Sequence, residues 1–453
     1  MAAARLFSDE EVSGTAWSAD HLQAPGQQWP RRLLEVSSMT SFERQETAGI
    51  ACYGSQSSPT YNILTYTWGR WMSDQGENVC VRNISWETPR ILPAHFSSKQ
   101  LETALRCVAG NGAFVWIDIA CIDQADGLVK GDEIGRQAGI FEKADQVFVW
   151  LTTIPALELQ ELLNRLAEQH KFCENLANLK DFPSDGQLEA WASSANDSCS
   201  KLLSDPWFSS LWTLQEAYLR HDGIILSQEA LSAQWPLSQF KRKALLKDLI
   251  WCFHTMLSAW EQLLARRILH GSQLHSQVGQ LVQRVLESGL PTLHDGNPVS
   301  VYGVACFRRP LETLDRVEGI QQIFGLSLVG HGIQDLDTLQ TQLALKLNSK
   351  SPLYAQLFVH MQSAPEGLSW RLGQHARVPE AARWATGRYT TALRGKLPAD
   401  NLCRISQVND QVMFEGFRCK TRLIRILKSL SAPYNLCIST HPLRCLRHCT
   451  NLF

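Results

Sequence analysis

The chain has 453 residues, which is longer than one typical domain and predicts two or three. Its hydrophobic content of 44% and charged content of 19% are typical of a globular protein and exclude a disordered one. The formal net charge of −1 provides no overall field that would attract nucleic acid or an anionic membrane surface, so we expect neither as a partner.

The cysteines and the apolar stretches indicate the cellular compartment of the protein. The 13 cysteines lack the spacing of a disulfide framework, and several, such as Cys107, Cys121 and Cys252, lie inside apolar runs. Reduced, buried thiols are typical of a reducing compartment. The N-terminal segment has no apolar run of the kind that directs secretion. The longest apolar stretch, 246–265, is interrupted by charged residues and predicts an amphipathic helix rather than a membrane span. We therefore expect a cytoplasmic protein.

Residues 1–57 predict a partly irregular leader. Gln, Ser, Gly and Pro are concentrated near 23–30 and 53–60, where they favour turns and loops. One short run, 32–36, predicts a single strand.

Residues 58–230 alternate between apolar runs and helical patterns. Four apolar runs predict strands buried on both faces: 61–66, 114–120, 147–151 and 223–227. Between them lie a helix opened by the capping box at Ser97, a helix over 132–144, a helical stretch over 156–204 with a break near Pro183, and a helix that starts at Asp205. This order predicts an α/β fold, with an open, mostly parallel sheet flanked by helices.

Residues 231–453 predict a mainly helical C-terminal region. Its last residues include Cys437, His441, Cys445, His448 and Cys449. These residue types bind zinc, but their spacing matches no recognised finger, so we expect incidental thiols on a helix and no metal site.

Three blocks within 58–230 end in polar and aromatic residues that core packing does not require. They are Tyr61–Gly69 (YNILTYTWG), Phe114–Gln124 (FVWIDIACIDQ) and Asp205–Glu216 (DPWFSSLWTLQE). In this order they resemble the blocks of the fungal heterokaryon incompatibility (HET) domain: Y-x-x-L-S-Y-x-W-G, W-I-D-x-x-C-I-D-Q and W-x-x-R-x-W-T-x-Q-E. The resemblance implies a cytosolic effector of fungal non-self recognition and programmed cell death. It also implies activity through self-association or through an unknown incompatibility partner protein.

The third block carries a second resemblance. Its pattern Ser210-x-Trp212-x-Leu214-x-Glu216 is similar to the S-x-W-x-L-x-E motif of Toll/interleukin-1 receptor (TIR) domains. That similarity implies a TIR-like sheet of flavodoxin-like strand order. In the NAD-cleaving TIR domains the glutamate is catalytic, so Glu216 becomes a candidate catalytic residue with NAD as its substrate rather than as a bound cofactor. The alternative is a non-catalytic scaffold that acts by self-association.

Residue chemistry supplies further candidates, each with a structural alternative. Tyr66 and Trp68, at the carboxyl edge of a strand, are placed to stack on a planar ligand or to cap the core, and Gly69 allows a tight turn. Asp118 would share a strand face with Trp116, and it either binds a ligand, caps a helix or pairs with a buried arginine. Trp212 and Glu216 share a helix face four residues apart. Glu216 either binds a ribose or pairs with Arg220. The candidate ligand-binding residues are Tyr66, Trp68, Gly69, Asp118, Asp123, Ser210 and Trp212.

The helix after the second block departs from the family's pattern, Q-V-x-x-M-x-x-I-Y-x-x-A. Glu133 stands in place of its glutamine and Gln137 in place of its methionine. Gly135 and Gly139 weaken the helix by about 1 kcal/mol each. The departures put in question whether this helix docks as it does in the family.

Overall fold

The computed structural model describes residues 29–378, except 111, 177–182, 238–241, 266–272, 329–334, 351–354, 356–357 and 374–375, together with the backbone of 404–408 and 411–415. The strands are β1 (Arg32–Glu35), β2 (Thr40–Thr47), β3 (Ile50–Tyr53), β4 (Gln56–Ser57), β5 (Tyr61–Thr65), β6 (Met72–Asn78), β7 (Arg90–Ile91), β8 (Phe114–Trp116), β9 (Val147–Trp150), β10 (Ile224–Leu226), β11 (Val359–His360), β12 (Ala376–Arg377), β13 (Arg404–Val408) and β14 (Gln411–Glu415). The helices are α1 (Ser98–Ala109), α2 (Asp118–Cys121), α3 (Gly127–Gly135), α4 (Gln137–Lys143), α5 (Ala156–Leu176), α6 (Asp185–Leu203), α7 (Leu211–Leu219), α8 (Leu246–Ala265), α9 (Gln273–Glu287), α10 (Leu290–Asp295), α11 (Pro298–Val304), α12 (Asp315–Glu318) and α13 (Leu336–Lys350).

The main sheet has eight strands in the order β10-β9-β5-β8-β1-β2-β3-β4. The first four in this order are the predicted apolar runs, and all three pairings among them are parallel, as predicted. Their residues are almost all buried because helices cover both faces of this half of the sheet. The carboxyl ends of these strands lie at one edge, which positions the ends of the first two sequence blocks together.

The other half of the sheet corrects the prediction of a mostly parallel sheet. Strand β1 pairs antiparallel with β8, and β2, β3 and β4 continue as an antiparallel meander, so the sheet is mixed. Residues 32–57 therefore supply four strands where the sequence predicted one. Half of the β2 residues are exposed polar ones, so the strand lacks the apolar run that marks a buried strand. The β2–β3 turn has positive φ at Ala48 and Gly49, the geometry of a tight hairpin, but alanine is not a residue that signals such a turn.

Two local predictions also need correction. Strand β8 ends at Trp116, and Asp118 begins the short helix α2 instead of sharing a strand face with Trp116. The helix predicted over 132–144 is divided into α3 and α4 at Arg136. Gly135 ends α3, consistent with the low helix propensity of glycine.

Other local signals are confirmed. The Ser97 capping box opens α1, and a glycine with positive φ, Gly110, ends it. The long helices α5 and α6 are separated by the segment that contains Pro183. The described part of the C-terminal region is mostly helical, as predicted.

The hydrophobic core continues across residue 230. One buried cluster surrounds the sheet and α1, and a second runs from Val149 to Val378 and joins helices α5–α7 to α8–α11. The eight cysteines within the described ranges are free thiols. Within those ranges, no helix has the length and apolar character needed to cross a membrane. The tail cysteines and histidines, 437–449, lie outside the described residues.

Candidate functional site

A chain of three side chains connects the first and third blocks. Thr65 lies at the carboxyl end of β5 and is buried. Its hydroxyl donates a hydrogen bond to the Glu216 carboxyl group on α7 and accepts one from the indole Nε1 of Trp207, at 2.9 Å. Trp207 is fully buried in a 3₁₀ turn whose first residue is the Pro206 that follows the Asp205 cap. The end of β5 and the start of α7 are thereby held together around Glu216.

The second block joins the same edge through Asp118. Its Oδ1 accepts hydrogen bonds from the Tyr66 hydroxyl at 2.9 Å and from the backbone N–H of Ile119 at 2.8 Å, while its Oδ2 accepts one from the Trp68 indole. The Tyr66 ring packs against Phe96 and Trp150 in the core. Asp118 thus fixes both aromatic side chains of the first block.

Electrostatics sets the site apart from its surroundings. Burial raises the pKa of Glu216 to about 8, the Thr65 hydrogen bond opposes that rise, and the nearby Asp118 adds to it. Burial also raises the pKa of Asp118, although Trp68, Tyr66, Ile119 and Lys130 all oppose the shift. The site therefore holds two carboxyl groups in a weakly solvated place, where the loss of a proton is disfavoured unless a cation arrives.

The predicted structural alternative for Glu216, an ion pair with Arg220, is wrong. The Arg220 guanidinium binds Asp222 at 2.7 Å and the backbone carbonyls of Phe141, Ala144 and Asp145. Within the described ranges the structure gives Glu216 no ion-pair partner. Glu216 as a whole residue is partly exposed, but its carboxyl group is buried enough for its pKa to rise to about 8.

Trp212 faces the C-terminal region. Its ring lies against Gly319, where an added Cβ would come within 3.3 Å of the indole carbons. Its indole also opposes the rise that burial causes in the pKa of Asp315. Trp212 is partly exposed, so one part of the ring packs and the rest reaches solvent. Asp315 and the neighbouring Glu318 share with Asp118 the influence of Lys130, which favours the charged form of all three carboxylates.

Gly69 and Ser210 also contact the segment that follows Cys306. Gly69 starts a 3₁₀ turn without a positive φ, and a Cβ there would meet a Leu311 methyl group at 2.9 Å. The absence of a side chain at Gly69 therefore allows the segment that contains Leu311 to approach closely. Ser210 pairs through its backbone with Arg309, and its carbonyl accepts a hydrogen bond from the buried Arg308 at 3.2 Å. The family's pattern has an arginine where this chain has Ser210.

Asp123 does not join the site. Its carboxylate accepts hydrogen bonds from the backbone of Ala125 and Asp126, and its electrostatic influence falls on Arg32, at the antiparallel half of the sheet. The structure thus brings Tyr66, Trp68, Asp118 and Glu216 together, places Gly69, Ser210 and Trp212 beside them, and leaves Asp123 apart.

Sequence reasoning missed five residues of the site. They are Thr65, Trp207, Lys130, Asp315 and Glu318. Thr65 carried a usable signal because the family's first block has a serine at this position, so a hydroxyl is common to both. Lys130 and Glu318 carried none, since only folding brings them near the other carboxyl groups.

The two residues of α3 and α4 that differ from the family's pattern, Glu133 and Gln137, both form hydrogen bonds inside the protein. Glu133 is fully buried, pairs with Arg136 at 2.5 Å and accepts the backbone N–H of Arg31 at 2.8 Å. Gln137 accepts a hydrogen bond from Gln215 of the third block at 2.8 Å. Helix α4 therefore docks on α7 through an amide pair rather than through a methionine.

Comparisons with known proteins agree with the three blocks. The family model "Heterokaryon incompatibility protein (HET)" matches residues 61–216, which begin at the first block and end at Glu216. The chain carries a HET domain. The chain is similar to "Heterokaryon incompatibility protein 6, OR allele" of Neurospora crassa, with 24% identity over 272 residues. That match covers 52% of this chain and 39% of the relative, so the chain spans less than half of the relative's length. No solved structure matches the chain.

Proposed function

We propose that this protein is a cytosolic effector of fungal heterokaryon incompatibility, in which the HET domain triggers programmed cell death on non-self recognition. The observation that carries the proposal is the meeting of all three blocks at one sheet edge. Thr65 and Tyr66 come from the first block, Asp118 from the second and Glu216 from the third, and they are joined by hydrogen bonds. The family match and the name of the Neurospora relative support the same role.

The effector would act by self-association or by binding an incompatibility partner protein. The strand order in the parallel half of the sheet favours the interpretation that this domain is TIR-like. Numbered along the chain, its strands lie in the order 2-1-3-4, which is that of flavodoxin-like sheets. In such sheets the carboxyl ends of the strands carry the functional groups, and here that edge carries Thr65 and Tyr66.

The test is expression of the full chain from an inducible promoter in a filamentous fungus. Growth should stop in cells that make the wild-type protein. Asp118→Ala should restore growth because it releases Tyr66 and Trp68. Asp123→Ala is the matched control, since this second aspartate of the same block lies off the site. Immunoblots of soluble protein must show equal levels. Normal growth with the wild-type protein, or undiminished toxicity of Asp118→Ala, would contradict the proposal.

A second candidate function is NAD cleavage with Glu216 as the catalytic residue. The observation that favours it is the Glu216 carboxyl group, which has no ion-pair partner within the described ranges and lies near Asp118. Glycosyl transfer passes through an oxocarbenium-like state, and the ionised form of Glu216 would stabilise that positive charge. The C–N bond to nicotinamide would break with its electron pair leaving on the nicotinamide, and water would supply the hydroxyl of the ADP-ribose product and one released proton.

The enzymatic candidate is tested with purified, concentrated protein and NAD. Release of free nicotinamide is expected from the wild type, and its loss is expected in Glu216→Gln, which keeps the shape of the side chain. A scaffold without catalysis predicts a different pair of results. Glu216→Gln would then remain toxic in the fungal assay, and neither protein would release nicotinamide.

A further inference from the structure

A cluster of metal-ligating side chains lies outside the HET site. His254 is on α8, and His294 and Asp295 are the last two residues of α10. One ligand atom from each of the three residues lies within 4.8 Å of the others. The two imidazole rings are stacked with their centroids 3.9 Å apart. This arrangement brings two nitrogen donors and one carboxylate oxygen close to one another between two helices.

The geometry at His294 points to a ligand. Its Nδ1 atom is buried, and the described residues give that atom no hydrogen-bond partner. The Oδ1 atom of Asp295 is 3.6 Å from this nitrogen, which is too far for a hydrogen bond. Two ligands on a tetrahedral zinc ion, each about 2.0–2.1 Å from the metal, lie about 3.3 Å apart. The His294–Asp295 separation is close to that value, and side-chain rotation can bring the remaining ligand atom nearer.

We propose that His254, His294 and Asp295 bind a divalent transition metal of the zinc class. Two imidazoles and one carboxylate are a donor set that zinc accepts, and three protein ligands leave a fourth position for water. The three residues are all partly exposed, so the cluster lies near the protein surface.

The position of the site explains what the metal would do. Helix α10 packs along α8, and the ion would join the two helices. Both ends of α10 contact the HET domain's helix α7: Gly289 lies against Leu214, and the carbonyl of Gly296 accepts a hydrogen bond from the Tyr218 hydroxyl at 3.4 Å. Helix α7 also carries Glu216. Metal binding would therefore stabilise the contact of the helical region with the HET domain.

The test is titration of the chelator-treated full chain with Co²⁺ followed by absorption spectroscopy. Nitrogen and oxygen ligands give d–d bands without the sulfur-to-metal charge transfer that thiolates produce. This distinction matters because the chain has 13 cysteines that compete for metal. The variants are His254→Ala/His294→Ala and Asp295→Asn. The control is His360→Ala, another partly exposed histidine, which binds the Ser369 carbonyl instead.

We expect the wild type and His360→Ala to bind one equivalent of Co²⁺ and to show the d–d bands of nitrogen and oxygen ligands. Both site variants should lose this binding and these bands. Saturating Zn²⁺ should raise the Tm of the wild type, with an increase that grows with the logarithm of metal concentration, and should not do so in the variants. Circular dichroism checks folding, and if the double variant fails to fold, Asp295→Asn decides. Site-variant spectra identical to the wild type, or a wild-type spectrum with thiolate bands alone, would overturn the proposal.

Discussion

At the residue scale, Glu216 differs from an ordinary surface glutamate because burial raises its pKa from 4.5 to about 8. The folded protein therefore holds this proton more tightly than the unfolded chain does. The contribution to stability is fully present below about pH 4.5, decreases between 4.5 and 8, and is lost above 8. The loss at high pH is the cost of keeping an unpaired carboxylate at the site.

This loss of stability with rising pH predicts how the Tm of Glu216→Gln, whose side chain is neutral at every pH, will differ from that of the wild type. Its Tm should be close to that of the wild type at about pH 5 and higher than that of the wild type at about pH 8.5, because only the wild type must then ionise a buried group. Thermal melts across this range measure the difference, with Asp123→Asn as a control that changes a carboxylate away from the site. A difference in Tm that is the same at both pH values would show that Glu216 does not titrate as described.

Thr65 connects Trp207 to Glu216 through its hydroxyl, so the contribution of this hydroxyl to the free energy of unfolding can be predicted. Thr65→Val keeps the shape but leaves the buried Trp207 N–H without its acceptor. We expect the free energy of unfolding to fall by about 1–3 kcal/mol, the usual cost of one unsatisfied buried group. Urea denaturation measures this change. Thr65→Ser retains the hydroxyl and should lose less, and equal losses in the two variants would mean that packing, not hydrogen bonding, governs this position.

At the element scale, a glutamine network holds three segments together. Gln137 of α4 accepts a hydrogen bond from Gln215 of α7, and the Gln215 side-chain oxygen accepts the backbone N–H of Gln322 at 2.9 Å. Gln322 in turn donates to the carbonyls of Gly135 and Leu326. Buried amides of this kind are stable only while every member keeps its partner. The HET helices and the C-terminal segment are therefore coupled through their side chains.

A double-mutant cycle tests this coupling. Gln137→Ala and Gln215→Ala should be non-additive, with an interaction energy of about 0.5–3 kcal/mol, because each substitution removes the same hydrogen bond. Gln160→Ala combined with Gln215→Ala is the control pair, since Gln160 lies on α5 and binds Asn164 and Gln234 instead. Chemical denaturation of the single and double variants provides the four free energies. Strict additivity for Gln137 and Gln215 would contradict a shared network.

At the scale of the whole molecule, the boundary predicted at residue 230 does not coincide with a break in the core. The cluster that contains Leu214 and Ile225 also contains Phe253, Leu293 and Val317. The segment after Cys306 crosses the third block, and the fully buried Arg308 donates to the carbonyls of Trp207, Ser210 and Ser288. Burial lowers the pKa of Arg308 to about 9. Residues 1–230 alone would expose this apolar surface, so we expect that fragment to be less soluble than the full chain.

Arg308 provides the test of this attachment. Arg308→Met removes the Arg308 hydrogen bond to the Ser288 carbonyl and one of the two that the Trp207 carbonyl accepts. Residues 308–326 should therefore be cleaved sooner by protease, and the Tm should fall by several degrees. Arg309→Met is the matched control because the neighbouring side chain is exposed and Arg309 pairs with Ser210 only through its backbone. Limited proteolysis followed by mass spectrometry locates the cleavage. Equal cleavage rates in both variants would show that the segment is held by other contacts.

The sequence by itself determined the features that depend on neighbouring residues. The apolar runs predicted all four parallel strands, the Ser97 capping box marked the start of α1, and the three blocks identified the HET domain. These signals are local because strand burial, helix capping and turn formation are each decided within a few residues. The antiparallel meander was missed because half of the β2 residues are exposed polar ones and because β3 and β4 have only four and two residues, too few for a long apolar run.

Only the tertiary structure decided which side chains meet. Sequence spacing placed Arg220 beside Glu216 on one helix, yet the partner is Thr65, 151 residues away in the chain. Asp118 binds Tyr66 and Trp68 because β5 and β8 are adjacent, and Trp212 packs on Gly319 because a distant segment crosses α7. Partners so far apart are selected by the packing of whole elements and by the need to satisfy each buried polar group, and neither has a period or spacing that can be seen in the sequence.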